Sequence, residues 1–230
     1  AETRRACAAA RRHFSNDAFG PFEMMHRLVG HQTLLAAMAL DPAWVKDMAT
    51  TYCEFNIRHW DELFRAEGLP QSTWLAEDLG FKGKPFMSRA MFEDILLPGY
   101  ARMFRWLHDR GLKAIVHSCG YVAPFVPLLR DAGMDCLEGM ECKAGMDLPA
   151  IFKSMGDCLV WCGNIDIRAL ETNDRGRIQA EIDARIAPVI RAGGRYIIHS
   201  DHSVSPLVEY DTYRWFLGKS GLAACKEAAR

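Results

Sequence analysis

Residues 113–120 read K-A-I-V-H-S-C-G, which sets an imidazole, His117, and a thiol, Cys119, one residue apart. Residues i and i+2 at the end of an extended segment point the same way, and both side chains are zinc ligands. A third ligand from elsewhere in the chain would leave a fourth position open, as catalytic zinc requires. A metal held there would lower the pKa of a bound thiol or water. The competing reading is a histidine bonded to a backbone carbonyl beside a thiol that packs as a small hydrophobe. Other reactive groups recur at similar places. Glu77 and Asp78 are adjacent carboxylates suited to substrate binding or acid and base work, against which stand a turn cap and a solvated side chain; Asp78 is the preferred site residue. Glu141 offers a fourth ligand or a group that orients one. Asp166, Asp201 and His202 are further candidates, and Arg27 and Lys143 are cations that could meet an anionic substrate, unless they are solvated surface residues.

What these residues share is the exit of a short apolar segment. Strands are expected at 14–22, 73–76, 113–116, 135–140, 158–162 and 195–198, each followed by residues at helical spacing. The helix from Pro42 should run to about Glu67, because Asp41-Pro42 starts it and Gly68 and Pro70 stop it. Ser88 should cap a long helix kinked at Pro98 and ended by Gly111. Helices are also expected at 1–12, 24–40 with a break at Gly30, 122–132, 148–155, 175–191 and 210–230. Strands alternating with helices argue a parallel α/β sheet with right-handed crossovers, in one domain over residues 1–230. Polar residues at nearly every strand exit favour a (β/α)8 TIM-type barrel over an open sheet, which would use a single switch point. Six strands are counted where a barrel needs eight, so the barrel is expected to be incomplete. Two units are expected before residue 1, or else the open edges are covered by the chain's own helices or a second copy.

Composition narrows the function. Lys and Arg total 28 against 29 Asp and Glu, for a net charge of -1, and the charges are spread along the chain, which disfavours nucleic acid as a partner. No apolar run reaches the roughly 18 residues of a membrane span, and no signal-like segment opens the chain, so a cytoplasmic location is expected. The 8 cysteines sit in a chain with half its residues apolar, where reduced thiols are the better reading than a disulfide framework. The methionines read as core filler, and His13, His31, His59 and His108 as ordinary surface or core residues.

Taken together, G-P-F-E-M-M-H-R-L-V-G at 20–30, E-D-L-G at 77–80, H-S-C-G at 117–120, E-C-K-A-G-M-D at 141–147, G-N-I-D at 163–166 and S-D-H at 200–202 resemble the uroporphyrinogen decarboxylase superfamily. The resemblance implies a (β/α) barrel and two branches of activity. One is metal-free decarboxylation of a tetrapyrrole in porphyrin biosynthesis. The other is zinc-dependent methyl transfer between a corrinoid protein and a thiol or methylated substrate. The decarboxylases carry a key aspartate and carboxylate-binding arginines in their first strands, and nothing before Ala18 matches those motifs. The methyltransferase branch has an H-x-C, matched by His117 and Cys119, with a third ligand, a cysteine, on the last strand's loop. Here that place falls at His202, a histidine that the decarboxylases also have. The resemblance therefore favours methyl transfer, with zinc on His117, Cys119 and His202 and with Glu141 as a fourth ligand. In the decarboxylase alternative, Asp78, Asp201 and His202 line the pocket. A third reading is a catalytically incomplete binding subunit.

Overall fold

The computed structural model describes residues 2–227, with side chains through residue 218. Six strands form one sheet: β1 (Ser15–Phe19), β2 (Ser72–Ala76), β3 (Lys113–Ser118), β4 (Cys136–Gly139), β5 (Val160–Gly163) and β6 (Arg195–Ile197). Their order in the sheet is their order in the chain. A parallel sheet that adds each new strand beside the last is the arrangement of a (β/α) barrel wall, and the described residues supply six strands of it. By internal contacts the chain divides into two compact units. One comprises Ala1–Leu79, Phe86–His117 and Pro124–Cys136; the other comprises Gly80–Pro85, Ser118–Ala123 and Leu137–Arg230.

In the first unit β1 pairs in parallel with β2, Ser15 opposite Ser72 and Phe19 opposite Ala76. β2 pairs in the same sense with β3, so that Ala76 faces His117. Helix α1 (Glu2–Ala9) precedes β1, and α2 (Pro21–Val29), α3 (His31–Leu40) and α4 (Pro42–Glu67) follow it. The break at Gly30, whose φ is +84°, separates α2 from α3 as expected from the sequence. Asp41 caps α4 by accepting from Trp44 N at 3.1 Å. The helix after Ser88 departs from expectation. It has a π-helical turn at Phe92–Leu96 before α5 (Leu97–His108). Pro98 has no N–H to give, and the wider turn ahead of it takes up the mismatch. The turn also seats Phe92 flat against Phe125, with ring centroids 4.2 Å apart. Around it Tyr100, Met103, Phe104 and Leu107 of α5 are fully buried with Trp60 of α4.

α6 (Val126–Ala132) is a shorter helix than expected, entered through a 3-10 turn at Ala123–Phe125. In the second unit β5 pairs in parallel with β6. Helices α7 (Leu148–Met155), α8 (Ile167–Glu171), α9 (Arg175–Arg185) and α10 (Ala187–Arg191) alternate with these strands, and α11 (Tyr210–Glu227) follows. The helix expected at 175–191 is divided at Ile186, where Pro188 removes a donor from the ladder. α8 and a small hairpin at Gly80–Phe81 and Lys84–Pro85 are too short for a periodic signal, and the sequence did not announce them. Ile165, Leu170, Ile178, Ile182 and Phe216 make the core of this unit. Residues 228–230 of the expected last helix lie outside the described residues.

Asn164, which follows β5, serves the fold. It is fully buried with φ at +62°. Its Nδ2 donates to the carbonyls of Met140 at 2.7 Å and Met146 at 3.0 Å, and its Oδ1 accepts from Leu148 N at 3.0 Å. Replacing Asn164 by Ala strands three buried backbone groups in a conformation that alanine resists, with an expected loss of about 3 kcal/mol. Urea denaturation checks this, and a loss below about 0.5 kcal/mol would contradict it.

Candidate metal centre

Alternation along β2 decides what each of its exit residues does. Successive side chains of an extended segment face opposite ways. Leu75 and Glu77 therefore share one face, Trp74, Ala76 and Asp78 the other. Glu77 turns into the packed layer and is fully buried. Its Oε1 accepts from Phe22 N and its Oε2 from Glu23 N, each at 2.9 Å, and the hydroxyl of Tyr100 donates to it as well. Gly20 stands at the N-cap of α2 and offers no side chain to its first turn. The next strand supplies the cap instead. A Cβ on Gly20 would lie 2.3 Å from the Glu77 carboxyl carbon, so any side chain there would have to displace that carboxyl from its donors. Burial pushes the Glu77 carboxyl up to about 8, against the pull of the Tyr100 hydroxyl and the two N–H donors. Expected as a substrate-binding residue, Glu77 is occupied in holding α2 and α5 to β2.

Asp78 faces the other way and is half exposed. Glu77 N donates to His117 O at 3.0 Å, which locks the exits of β2 and β3 side by side. The register that sets Ala76 against His117, carried two residues further, brings Asp78 level with Cys119. The His117 ring stands 5.2 Å from Trp74 on the same face, and its Nε2 is 3.5 Å from Asp78 Oδ1. Asp78, His117 and Cys119 each offer one ligand atom, all within 4.8 Å of one another. Zinc bonds of about 2.0 to 2.3 Å at tetrahedral angles place ligand atoms roughly 3.5 Å apart, so this imidazole, thiol and carboxylate fit such an ion with small adjustments. Among the described residues no trio including Glu141 or His202 meets the same distance.

Two glycines hold the loops that carry these groups. Gly80 follows Asp78 by two residues and Gly120 follows Cys119 by one. A Cβ on Gly120, at φ +76°, would lie 2.2 Å from the backbone of Gly80, and one on Gly80 would lie 2.6 Å from Tyr121 N. Tyr121 N donates to Phe81 O at 2.9 Å across that contact. The sequence carries the signal, since E-D-L-G and H-S-C-G each end in glycine, but one chain does not reveal that the two glycines meet.

Glu141 supports the same turn, accepting from Gly120 N at 2.9 Å while Lys143 Nζ lies 3.0 Å from its other oxygen. Burial pushes its carboxyl up, but Lys143, the Gly120 N–H and the nearby His202 pull harder and hold it below the usual range. Lys143, expected to meet substrate, is thus paired with Glu141. His202 is exposed. Asp201 is enclosed, with one oxygen accepting from Cys142 N at 2.8 Å and the other from Ile167 N at 2.9 Å. Burial raises its pKa and those donors restrain it. Asp166 caps α8 and is bonded by Arg168 Nε, first among the causes that lower its pKa. Arg27 is spent on Glu23, its Nε 3.0 Å away, and lies over the Phe19 ring at 4.7 Å. Glu23, nearly buried between His26 and Arg27, was not anticipated from the sequence.

The family model for uroporphyrinogen decarboxylase (URO-D) matches residues 15–219. The chain belongs to the uroporphyrinogen decarboxylase family. In this chain the E-D-L-G and H-S-C-G segments carry the trio. Among solved structures the chain is similar to a methyltransferase from Methanosarcina mazei, with a TM-score of 0.73 at 15% identity over 92% of this chain. At that identity the likeness is one of fold, and the chain spans 59% of that methyltransferase. A Xaa-Pro dipeptidase also matches, at a TM-score of 0.37 and 14% identity over 81% of this chain and 45% of its own, and it carries no argument. No curated protein matches in sequence. Among the described residues no helix is long and apolar enough to cross a membrane.

Glu77→Ala should destabilise the protein by about 3 kcal/mol or more, because it leaves two buried N–H groups and a buried hydroxyl without an acceptor. Gly20→Ala should destabilise it too, by forcing the carboxylate off its donors. Equilibrium unfolding measures both, and a loss under about 1 kcal/mol for Glu77→Ala would remove the latch from this account.

Proposed function

We propose that this chain is a zinc-dependent methyltransferase of its family, moving a methyl group from a corrinoid carrier protein to a small thiol. The observation that carries the reading is the gathering of Asp78, His117 and Cys119 within 4.8 Å at adjacent strand exits. His117 through Nε2, Cys119 through Sγ and Asp78 through a carboxylate oxygen would hold the ion. This replaces His202 as the third ligand by a residue that the register of β2 and β3 delivers. Zinc in such a site lowers the pKa of an incoming thiol, making it nucleophilic near neutral pH.

The chain's own residues do the rest. His117 binds as the neutral imidazole and Cys119 as the thiolate, so loading the site releases the thiol proton of Cys119. The Gly120 N–H, fixed on Glu141, sets the turn from which Cys119 projects. Asp78 is half exposed, which leaves one side of the trio open to a substrate and to the solvent that takes the thiol's proton. His202, exposed and close enough to Glu141 to lower its pKa, stands available to substrate rather than to the ion.

Zinc titration of metal-free protein, followed by transfer from methylcobalamin to 2-mercaptoethanol, tests this reading. The expected result is one zinc per chain, with stoichiometric uptake lost in Cys119→Ser and His117→Ala. Asp78→Asn should weaken it by more than roughly tenfold. Removing the metal should abolish transfer. Failure of the wild-type protein to take up zinc would overturn the proposal, and decarboxylation of a tetrapyrrole by metal-free protein would replace it with the family's other chemistry.

A further inference from the structure

At the opposite ends of β1 and β2, a cavity of about 550 Å³ opens between the approach to β1 and the turn before β2. β2 is five residues long, so roughly 17 Å of extended chain separates this cavity from Asp78. Arg4, Arg11, Arg12 and His13 line it over a floor of Leu69 and Pro70, and no carboxylate lines it among the described residues. In a chain whose charges nearly balance overall, three arginines line one cavity.

The backbone is arranged to keep them there. Arg11 takes a positive φ of 52°, which turns the chain at the end of α1 so that Arg11, Arg12 and His13 return toward Arg4. His13 Nε2 is 2.8 Å from Ser72 Oγ, and Phe14 N donates to Gln71 Oε1 at 2.8 Å, which pins this turn to the start of β2. Arg4 lies against Gly68, where a Cβ would sit 2.7 Å from its guanidinium carbon, and its Nε is buried without an acceptor. A buried donor left unpaired costs stability unless a ligand supplies the oxygen. Glu67 lies within electrostatic reach of Arg4 and Arg5 but outside the lining, one carboxylate among several cations.

We infer that this cavity binds a small multivalent oxyanion, a phosphate ester or a polycarboxylate, held by Arg4, Arg11 and Arg12. Guanidinium forks match both groups through paired N–H donors, and a cavity of this size admits a molecule larger than a lone phosphate. The site depends on neither the metal nor the family's chemistry.

Isothermal titration of the full chain with inorganic pyrophosphate and, separately, with citrate tests the inference at ionic strength held constant with sodium chloride. Saturable binding of one or both is expected, and which of them binds identifies the phosphate or the carboxylate class. The exposed pair Arg11→Gln/Arg12→Gln should weaken it by about tenfold or more while zinc uptake and thermal unfolding stay unchanged. Arg4→Gln should weaken it similarly. Absence of saturable binding of either anion up to about 10 mM would overturn the inference. Undiminished binding by the double variant, or an equal response to added chloride, would do so too.

Discussion

A carboxyl group shut away from water must be surrounded by donors, and at Glu77 the surrounding is what holds the first unit in register. The start of α2 needs an acceptor for its N–H groups, α5 brings the Tyr100 hydroxyl, and β2 supplies the one side chain that answers both. Helix and strand are fastened at the end where the reactive groups emerge. Because side chains alternate, the residue after the latch has to face the other way. Asp78 is consequently delivered to the face of Trp74 and His117, and the backbone bond from Glu77 N to His117 O fixes the two strand exits together. An enclosed carboxyl thereby places a half-exposed one beside His117.

The same logic repeats with backbone donors in the second unit. Asp201 is closed in by the N–H groups of Cys142 and Ile167, and Asn164 ties Met140, Met146 and Leu148. Polar residues at strand exits are thus of two kinds. Those enclosed on N–H groups brace the loops, whereas Asp78, His117, Cys119 and His202 are not closed in and keep part of their surface exposed. Fold comparison and family membership agree with a barrel wall of this kind, while the identity of the reaction rests on the trio.

Much of the architecture was legible because apolar periodicity and helix punctuation act locally. Asp41-Pro42 and Gly68 bound α4 where the sequence indicated, and five of the six strands have both ends within two residues of their expected place, while the first, expected at 14–22, stops at Phe19 because α2 starts at Pro21. His117 and Cys119 were legible as a pair for the same reason, being neighbours in the chain. What could not be read was which residue joins them. His202 was expected from family pattern, whereas Asp78 reaches the pair through strand register and the abutment of Gly80 on Gly120, and both are tertiary facts. Glu77 and Asp78 look alike in sequence, and only the helix packed over one face of β2 distinguishes the enclosed carboxyl from the half-exposed one. Pro98 announced a break in this helix but not its form, a π turn that also seats Phe92 on Phe125, a contact between residues far apart in the chain.

Zinc K-edge X-ray absorption on the metal-loaded protein addresses the central claim most directly, since it counts the atoms around the ion. One sulfur at about 2.3 Å with nitrogen and oxygen at about 2.0 to 2.2 Å is the shell predicted for Cys119, His117 and Asp78, and Cys119→Ser should erase the sulfur. A shell without sulfur in the wild type, or one that keeps its sulfur in the variant, would contradict the assignment.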